Sequence, residues 1–134
     1  MREADRVEIA AMSGHTPYKA LLESFKMSDH VVTMDSPTGA PVLVFGVGQR
    51  DLLSDIGTIW MLGTNEVVNN AKVVMTYTPK VLEIMLEQYR LLENYVHVKN
   101  KVSVRWLKRL GFEMDTPFEH PVSGEKFMHF QMTR

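Results

Sequence analysis

The chain has 134 residues, with 15 lysines and arginines, 16 aspartates and glutamates and a formal net charge of -1. This length supports a compact domain with a hydrophobic core, and the balanced charge gives no field that would attract nucleic acid or anionic lipid. The absence of cysteine excludes disulfides, thiolate metal sites and cysteine nucleophiles. No apolar run approaches the ~20 residues of a membrane span, and the N-terminus lacks the apolar core of a signal peptide, so we expect a non-secreted protein.

The chain is expected to begin with two helices. No repeat, low-complexity tract or linker-like stretch divides residues 1–134, which predicts a single domain. Asp5 and Glu8 are predicted to form a capping box that opens a short helix over 6–12. Thr16 as N-cap, followed by proline at the first helical position, predicts a second helix over 17–27.

Three apolar segments that follow are typical of strands. Residues 30–35 and 42–47 are rich in β-branched side chains and flank the turn-forming sequence Ser-Pro-Thr-Gly-Ala-Pro, which predicts a hairpin with a long loop. After a turn over 49–55, residues 58–63 are apolar without alternation, as expected for a central strand that is buried on both faces.

The second half is predicted to alternate helices and strands. Residues 65–77 fit a helix only ambiguously, whereas Thr78-Pro79 is a clearer start for a helix that runs to about residue 90. A second central strand is predicted over 95–99, and a helix over 102–110 that ends at Gly111.

The final segments, 112–114 and 127–132, are predicted to be strands on either side of a turn. The element order is then αα-ββ-β-α-β-α-ββ, which belongs to the α/β (α+β) class. We expect a mixed central β-sheet with helices on both faces, and a right-handed parallel crossover over 58–99.

Charged and histidine side chains are further candidates for functional sites. A cationic cluster is either a solvated helix face or a docking surface for a phosphate-bearing cofactor or an acidic partner; its members are Lys99, Lys101, Arg105, Lys108 and Arg109. His97 alternates inside an apolar strand, which favours a hydrogen-bonded core residue. The five histidines lack metal-ligand spacing, so no metal site is predicted.

Residues 94–112 resemble the strand-loop-helix that closes the acyl-CoA cleft of the GCN5-related N-acetyltransferase (GNAT) family. The element order is also similar to the GNAT fold, whose first strand precedes its first helix. Here that strand would lie in or before residues 1–4, and Arg2-Glu3-Ala4 looks like its end, so we expect a first strand that is shortened or missing.

The resemblance implies that the strand over 58–64 splays from the strand over 95–99, and that the pantetheine arm of acetyl-CoA enters between them. The backbone of Met61, Leu62 and Gly63 would then face this slot. The implied cofactor-binding candidates are Met61, Leu62, Gly63, Thr64, Asn100 and Ser103.

The chain departs from the GNAT pattern at both chemical positions. The stretch 64–70 has neither the glycines nor the basic residue of the family's pyrophosphate loop, and Glu66 adds charge of the wrong sign. Leu107 stands where the family has the tyrosine that protonates the thiolate. We therefore predict no catalytic residue and no cofactor, because no motif supports Glu66, Tyr77, Glu83 or His97 as a base.

A closer resemblance covers roughly 58–114 and points to the internal virion protein A family of T7-type phages. The residues that carry it are Trp60, Leu91, Leu92, Asn94, Val96, Asn100, Ser103, Arg105, Trp106, Leu107, Gly111 and Phe112. The resemblance implies a protein that acts in virion assembly by binding virion or scaffold proteins, in the virion or in the cytoplasm of an infected bacterium. We expect no nucleic-acid or membrane partner and leave a homo-oligomer open. The alternative is an acetyl-CoA-dependent N-acetyltransferase with an atypical cofactor loop.

Overall fold

The computed structural model describes residues 1–134, which form four α-helices, one 3₁₀ helix and seven β-strands. The helices are α1 (Glu3–Ser13), α2 (Pro17–Met27), the 3₁₀ helix (Asn65–Asn70), α3 (Ala71–Gln88) and α4 (Lys101–Leu110). The strands are β1 (His30–Asp35), β2 (Pro41–Gln49), β3 (Ile56–Gly63), β4 (Leu91–His97), β5 (Glu113–Met114), β6 (Phe118–Glu119) and β7 (Lys126–Thr133). No helix has the length and apolar character that a membrane span requires.

All seven strands form one mixed sheet in the order β1-β2-β3-β4-β7-β5, and β6 also pairs with β7. β3 and β4 are parallel, with α3 as the crossover between them, and every other pair is antiparallel. The predicted α/β class and mixed sheet are therefore confirmed, and the short β6 is an addition to the predicted order.

Helices cover both faces of the sheet. Ile59 packs in the main core with Val74 and Leu82 of α3. Its neighbour Trp60 points to the opposite face, where its ring meets the edge of Phe25 of α2 at 5.8 Å between centroids. This two-sided burial explains why β2 and β3 read as apolar runs rather than as alternating strands.

The ends of two helices agree with the sequence prediction. Thr16 caps α2, because its side-chain oxygen accepts a hydrogen bond from the Lys19 N–H at 3.2 Å. Gly111 ends α4 with φ = 101°, a left-handed conformation that glycine adopts without a Cβ penalty.

Two predictions for the N-terminus are wrong. α1 begins at Glu3, so Asp5 lies inside its first turn and no side chain caps the helix. The Asp5 carboxylate is buried and bonds to groups outside α1, which prevents it from forming a capping box with Glu8. The expected strand end at Arg2-Glu3-Ala4 is wrong as well, because Glu3 and Ala4 are helical.

The predicted helix start at Thr78-Pro79 is also wrong. α3 begins at Ala71 and continues through Pro79. Its buried stripe, Val74, Thr78, Leu82 and Met85, passes the proline without interruption. Tertiary packing of this stripe therefore outweighs the local cost of proline. Strand β4 likewise begins at Leu91 rather than at residue 95, since its first residues pair with β3.

Candidate functional site

Strands β3 and β4 part in the middle of the sheet. Their last paired residues are Thr58 and Glu93. Beyond that point β3 continues along β2, and β4 continues along β7. The Asn94 side chain donates to the Ile59 carbonyl at 2.6 Å, just past the end of the pairing. We call the opening beyond it the V; its arms are 59–63 of β3 and 94–97 of β4. The splay that the resemblance implied is thus present.

Helix α1 lies across the V and hydrogen-bonds to both arms. On the β3 arm, the Gly63 N–H donates to Asp5 Oδ2 at 3.1 Å, and the Arg2 N–H donates to the Gly63 carbonyl at 2.9 Å. On the β4 arm, the His97 N–H donates to Glu8 Oε2 at 3.0 Å. Residues three apart share a face of a helix, so Asp5 and Glu8 serve the two arms together.

Arg2 compensates the buried charge of Asp5. Its guanidinium makes two hydrogen bonds to the Asp5 carboxylate, from Nε at 3.0 Å and from Nη2 at 2.7 Å. The same Nη2 donates to Ser103 Oγ on α4 at 3.0 Å. Paired in this way, a buried carboxylate is sustainable in the protein interior, and α1 is tied to α4 as well as to β3.

Glu8 is held at the open end of the β4 arm by His97 and Asn100. The Asn100 side-chain amide donates to Glu8 Oε2 at 3.1 Å, while Asn100 Oδ1 has no hydrogen-bond partner. Burial raises the pKa of Glu8 above its ordinary value, although the hydrogen bonds from His97 and Asn100 act in the opposite direction. The negative form of this carboxyl group is therefore the more costly one in the folded protein.

A cavity of about 560 Å³ lies beside α1, between α2, α4 and the parted strands. Its wall is mostly apolar and includes Ile9, Met12, Trp60, Met61, Leu107 and Phe130. Leu107 stands at the position expected for an acid and has no proton to give. Glu66, Tyr77, Glu83 and His97 do not line the cavity. The cavity can bury an apolar group, but it brings none of the proposed bases to that group.

The three candidate cofactor residues of β3 differ in the direction that their main-chain groups face. Gly63 is bonded to α1 through both its N–H and its carbonyl. Because hydrogen-bonding direction alternates along a strand, the Met61 peptide also faces the V, whereas Leu62 pairs with Val44 and faces β2. The expectation that the Leu62 backbone faces the slot is therefore wrong.

The other candidates have structural partners. Thr64 caps the 3₁₀ helix by accepting from the Glu66 N–H at 3.2 Å, and its own N–H donates to the Val42 carbonyl at 2.9 Å. Asn100 and Ser103 are both buried just beyond the open end of the β4 arm, where they bond to Glu8 and Arg2 respectively. The structure thus brings Gly63, Asn100 and Ser103 together, but their polar groups bond to Arg2, Asp5 and Glu8 rather than facing an open slot.

Arg2 was not predicted to take part in the site, and Asp5 and Glu8 were predicted to form a capping box instead. An arginine three residues before an aspartate, with a glutamate three residues further on, places all three side chains on one helical face. This spacing was a usable signal of a buried polar face. The same spacing also fits a capping box, and the sequence offers no means to choose between them.

His97 is a hydrogen-bonded core residue, as predicted. It is 2% exposed, and its Nε2 lies 3.2 Å from Glu125 Oε2. The cationic cluster on α4 is solvent-exposed, and Lys101, Arg105, Lys108 and Arg109 form no ion pair. These observations agree with a solvated helix face.

A second polar cluster joins β4 and β7. His129 Nε2 lies 2.8 Å from Glu93, and its Nδ1 lies 2.7 Å from Asp115. Arg50 also bonds to Glu93 at 2.8 Å. Burial alone would lower the pKa of His129, but its hydrogen bonds to Glu93 and Asp115 outweigh that effect and raise it. This cluster connects the β2–β3 loop, through Arg50, to β4 and β7 and to Asp115 after β5.

The fold is similar to solved N-acetyltransferases. A mutant spermidine N-acetyltransferase SpeG from Vibrio cholerae matches with a TM-score of 0.66 and 9% identity over 89% of this chain and 76% of that chain. Ribosomal-protein-alanine N-acetyltransferase from Brucella melitensis matches with a TM-score of 0.68 and 11% identity over 98% and 91%. A GNAT-family acetyltransferase from Streptococcus pneumoniae matches with a TM-score of 0.63 and 16% identity over 87% and 74%. At these identities the likeness shows the GNAT fold alone.

Comparison by sequence gives a more specific result. Residues 30–118 match the model of the family described as "Bacteriophage T7, probable scaffold protein Gp13". No curated protein matches the chain.

Substitution of Glu8 tests the contacts between α1 and the V. We expect Glu8→Ala to lower the free energy of unfolding by about 1–3 kcal/mol, because the His97 N–H and the Asn100 amide lose their acceptor. Glu8→Gln keeps an acceptor and removes the buried charge, so it should cost less than Glu8→Ala. Urea unfolding measures both, and Glu3→Ala on the exposed side of α1 is the control, with an expected change within about 0.5 kcal/mol.

The pH dependence of the same variants gives a sharper test. Since the folded pKa of Glu8 is raised, this residue's contribution to stability is greatest below the unfolded pKa and is lost as pH rises through the folded pKa. The stability of Glu8→Gln relative to the unsubstituted protein should therefore increase from acid to neutral pH. A difference that stays flat or falls over that range would contradict the buried position of Glu8.

Proposed function

Since this chain belongs to the family of the bacteriophage T7 probable scaffold protein Gp13, we propose that it acts in virion morphogenesis by protein–protein interaction. Its partners are virion or scaffold proteins, and it works in the virion or in the cytoplasm of an infected bacterium. More specifically, we propose that it is an internal virion protein A of a T7-type phage.

The observation that carries a non-enzymatic role is the occupation of the V by α1. A pantetheine arm would need main-chain groups of the β3 arm, and Gly63 already uses both of its groups on Arg2 and Asp5. Entry of the arm would also expose the Asp5–Arg2 pair and the Glu8 contact to His97. A buried donor or acceptor that loses its partner costs about 1–3 kcal/mol, so this displacement would consume much of the ~8 kcal/mol of a micromolar ligand.

The chemistry around the V points the same way. The 3₁₀ helix at 65–70 buries Val67 and places Glu66 where a diphosphate would need positive charge. Leu107 on the cavity wall cannot protonate a departing thiolate. Binding of the cofactor and completion of the reaction are thus both disfavoured by residues of this chain.

An acetyl-CoA-dependent N-acetyltransferase remains the second candidate function. Two observations favour it: strands β3 and β4 do part, and a cavity of about 560 Å³ lies beside the opening. In this function α1 would have to leave the V before acetyl-CoA could enter, and Gly63, Asn100 and Ser103 would then become available to the ligand beside Met61.

Isothermal titration with acetyl-CoA separates the two candidates. We expect no heat of binding at millimolar ligand, because the Gly63 and His97 main-chain groups at the ends of the two arms are already bonded to Arg2, Asp5 and Glu8. The variant Leu107→Tyr is a useful control, because it introduces a phenol without opening the V. It should likewise show no heat of binding. Micromolar binding by the unsubstituted protein would overturn the preference for a non-enzymatic role.

The assembly role is tested in infected cells. We expect mass spectrometry to find the chain in purified virions or in assembly intermediates, and affinity capture through a tag to recover virion or scaffold proteins with it. The same tag on an unrelated protein of similar size is the control. Absence of the chain from all particles, together with capture of no phage structural protein, would contradict the proposed function.

A further inference from the structure

The sheet has one long edge that pairs with no further strand of the chain. β1 is at the end of the strand order, and it pairs only with β2. No hydrogen bond joins Val31, Val32, Thr33 or Met34 to any group outside β2. The opposite end of the sheet is different, because β5 there is only two residues long. A strand edge of this kind presents a row of free N–H and C=O groups that can pair with another chain.

The usual protections of an edge strand are missing from most of β1. Proteins blunt such edges with lysine, proline, charges that point inward, bulges or very short strands. Residues 31–34 contain none of the first three, and the one irregularity of register lies beyond them, between Met34 and Asp35. Hydrogen-bonding direction alternates along a strand, so every second residue of this stretch keeps its N–H and C=O groups free on the side away from β2.

The side chains of β1 define the kind of strand that fits. Val32 and Met34 are half-buried against the core, so a further strand beside them would cover apolar surface. Asp35 ends β1 and Asp29 directly precedes it; both residues are exposed, and the Asp29 carboxylate also accepts a hydrogen bond from the Tyr89 hydroxyl. A segment that alternates apolar side chains and carries a basic residue at each end matches both features, because opposite charges across a strand pair are favourable.

A second copy of the chain fits less well. An antiparallel pair of β1 strands centred on Val32 places Asp29 of each copy opposite Asp35 of the other. Like charges directly opposite each other destabilise a strand pair. The ends of β1 therefore favour a strand from a different protein.

We propose that the free edge of β1 is a docking site for an extended segment of a partner protein, with alternating apolar residues and basic ends, which adds a strand to the sheet. Affinity in this mode comes from main-chain hydrogen bonds, and specificity comes from the alternate side chains. The proposal rests on the proposed function, for which it names the chemistry of the partner.

A synthetic peptide tests the site on the intact chain. The probe is an acetylated, amidated heptapeptide of sequence Lys-Val-Thr-Val-Thr-Val-Lys, added to isotopically labelled protein and followed by NMR. We expect saturable shifts confined to residues 29–36 and to their β2 neighbours. The same peptide with alternate amides N-methylated cannot form the ladder and should not bind, and a peptide with glutamate at both ends should bind more weakly.

Variants of the protein complete the test. Thr33 is exposed, so Thr33→Lys adds an edge charge without disturbing the core and should weaken peptide binding roughly tenfold or more. Thr38→Lys in the exposed β1–β2 loop is the matched control and should leave binding unchanged.

Three results with the peptide would overturn the proposal, and a fourth would assign the edge to a different occupant. The three are no shift at millimolar peptide, shifts away from β1, or equal binding by Thr33→Lys. A dimer that forms with rising concentration and is abolished by Thr33→Lys would assign the edge to a second copy and overturn the partner-strand proposal. Peptide binding at β1 with the chain absent from all particles would contradict the proposed assembly role alone, so the two failures are distinguishable.

Discussion

The structure depends on how the sheet accommodates the parting of β3 and β4. Once the ladder ends at Thr58 and Glu93, main-chain groups on both arms lose strand partners in the interior of the protein. Helix α1 supplies replacements, with Asp5 on one arm and Glu8 on the other. The Arg2–Asp5 pair and the contacts to Asn100 and Ser103 follow from this arrangement, because each compensates a polar group that the arrangement buries.

A fold shared with acetyltransferases does not bring their chemistry with it. The same opening that could admit a thioester arm is spanned here by a helix that carries two carboxylates. Glu66, in the 3₁₀ helix that follows β3, opposes a diphosphate, and the apolar Leu107 offers no proton at the cavity wall. What the V can do is therefore decided by α1, which lies outside the residues that match the phage family model.

Local signals in the sequence were sufficient for much of the fold. The hairpin, the Thr16 cap and the Gly111 stop depend on neighbouring residues only, and they are found where they were predicted. The parting of β3 and β4 was predicted from the resemblance to the GNAT family. The predictions fail where contacts with residues distant in the sequence determine the local structure. Asp5 and Glu8 fit a capping box until the β3 and β4 arms are placed beside them, and Pro79 looks like a helix start until the buried stripe of α3 is known. The side that the Leu62 peptide faces depends on its register with Val44, which no local pattern encodes.

Amide hydrogen exchange at Gly63 and His97 is the most direct test of the claim that α1 holds the V. In the unsubstituted protein both N–H groups should exchange slowly, because each donates to a carboxylate of α1. In Asp5→Ala/Glu8→Ala both should exchange quickly, while the Thr64 N–H, which donates to Val42 of β2, stays protected. Rapid exchange at Gly63 and His97 in the unsubstituted protein, or unchanged protection in the double variant, would contradict the account.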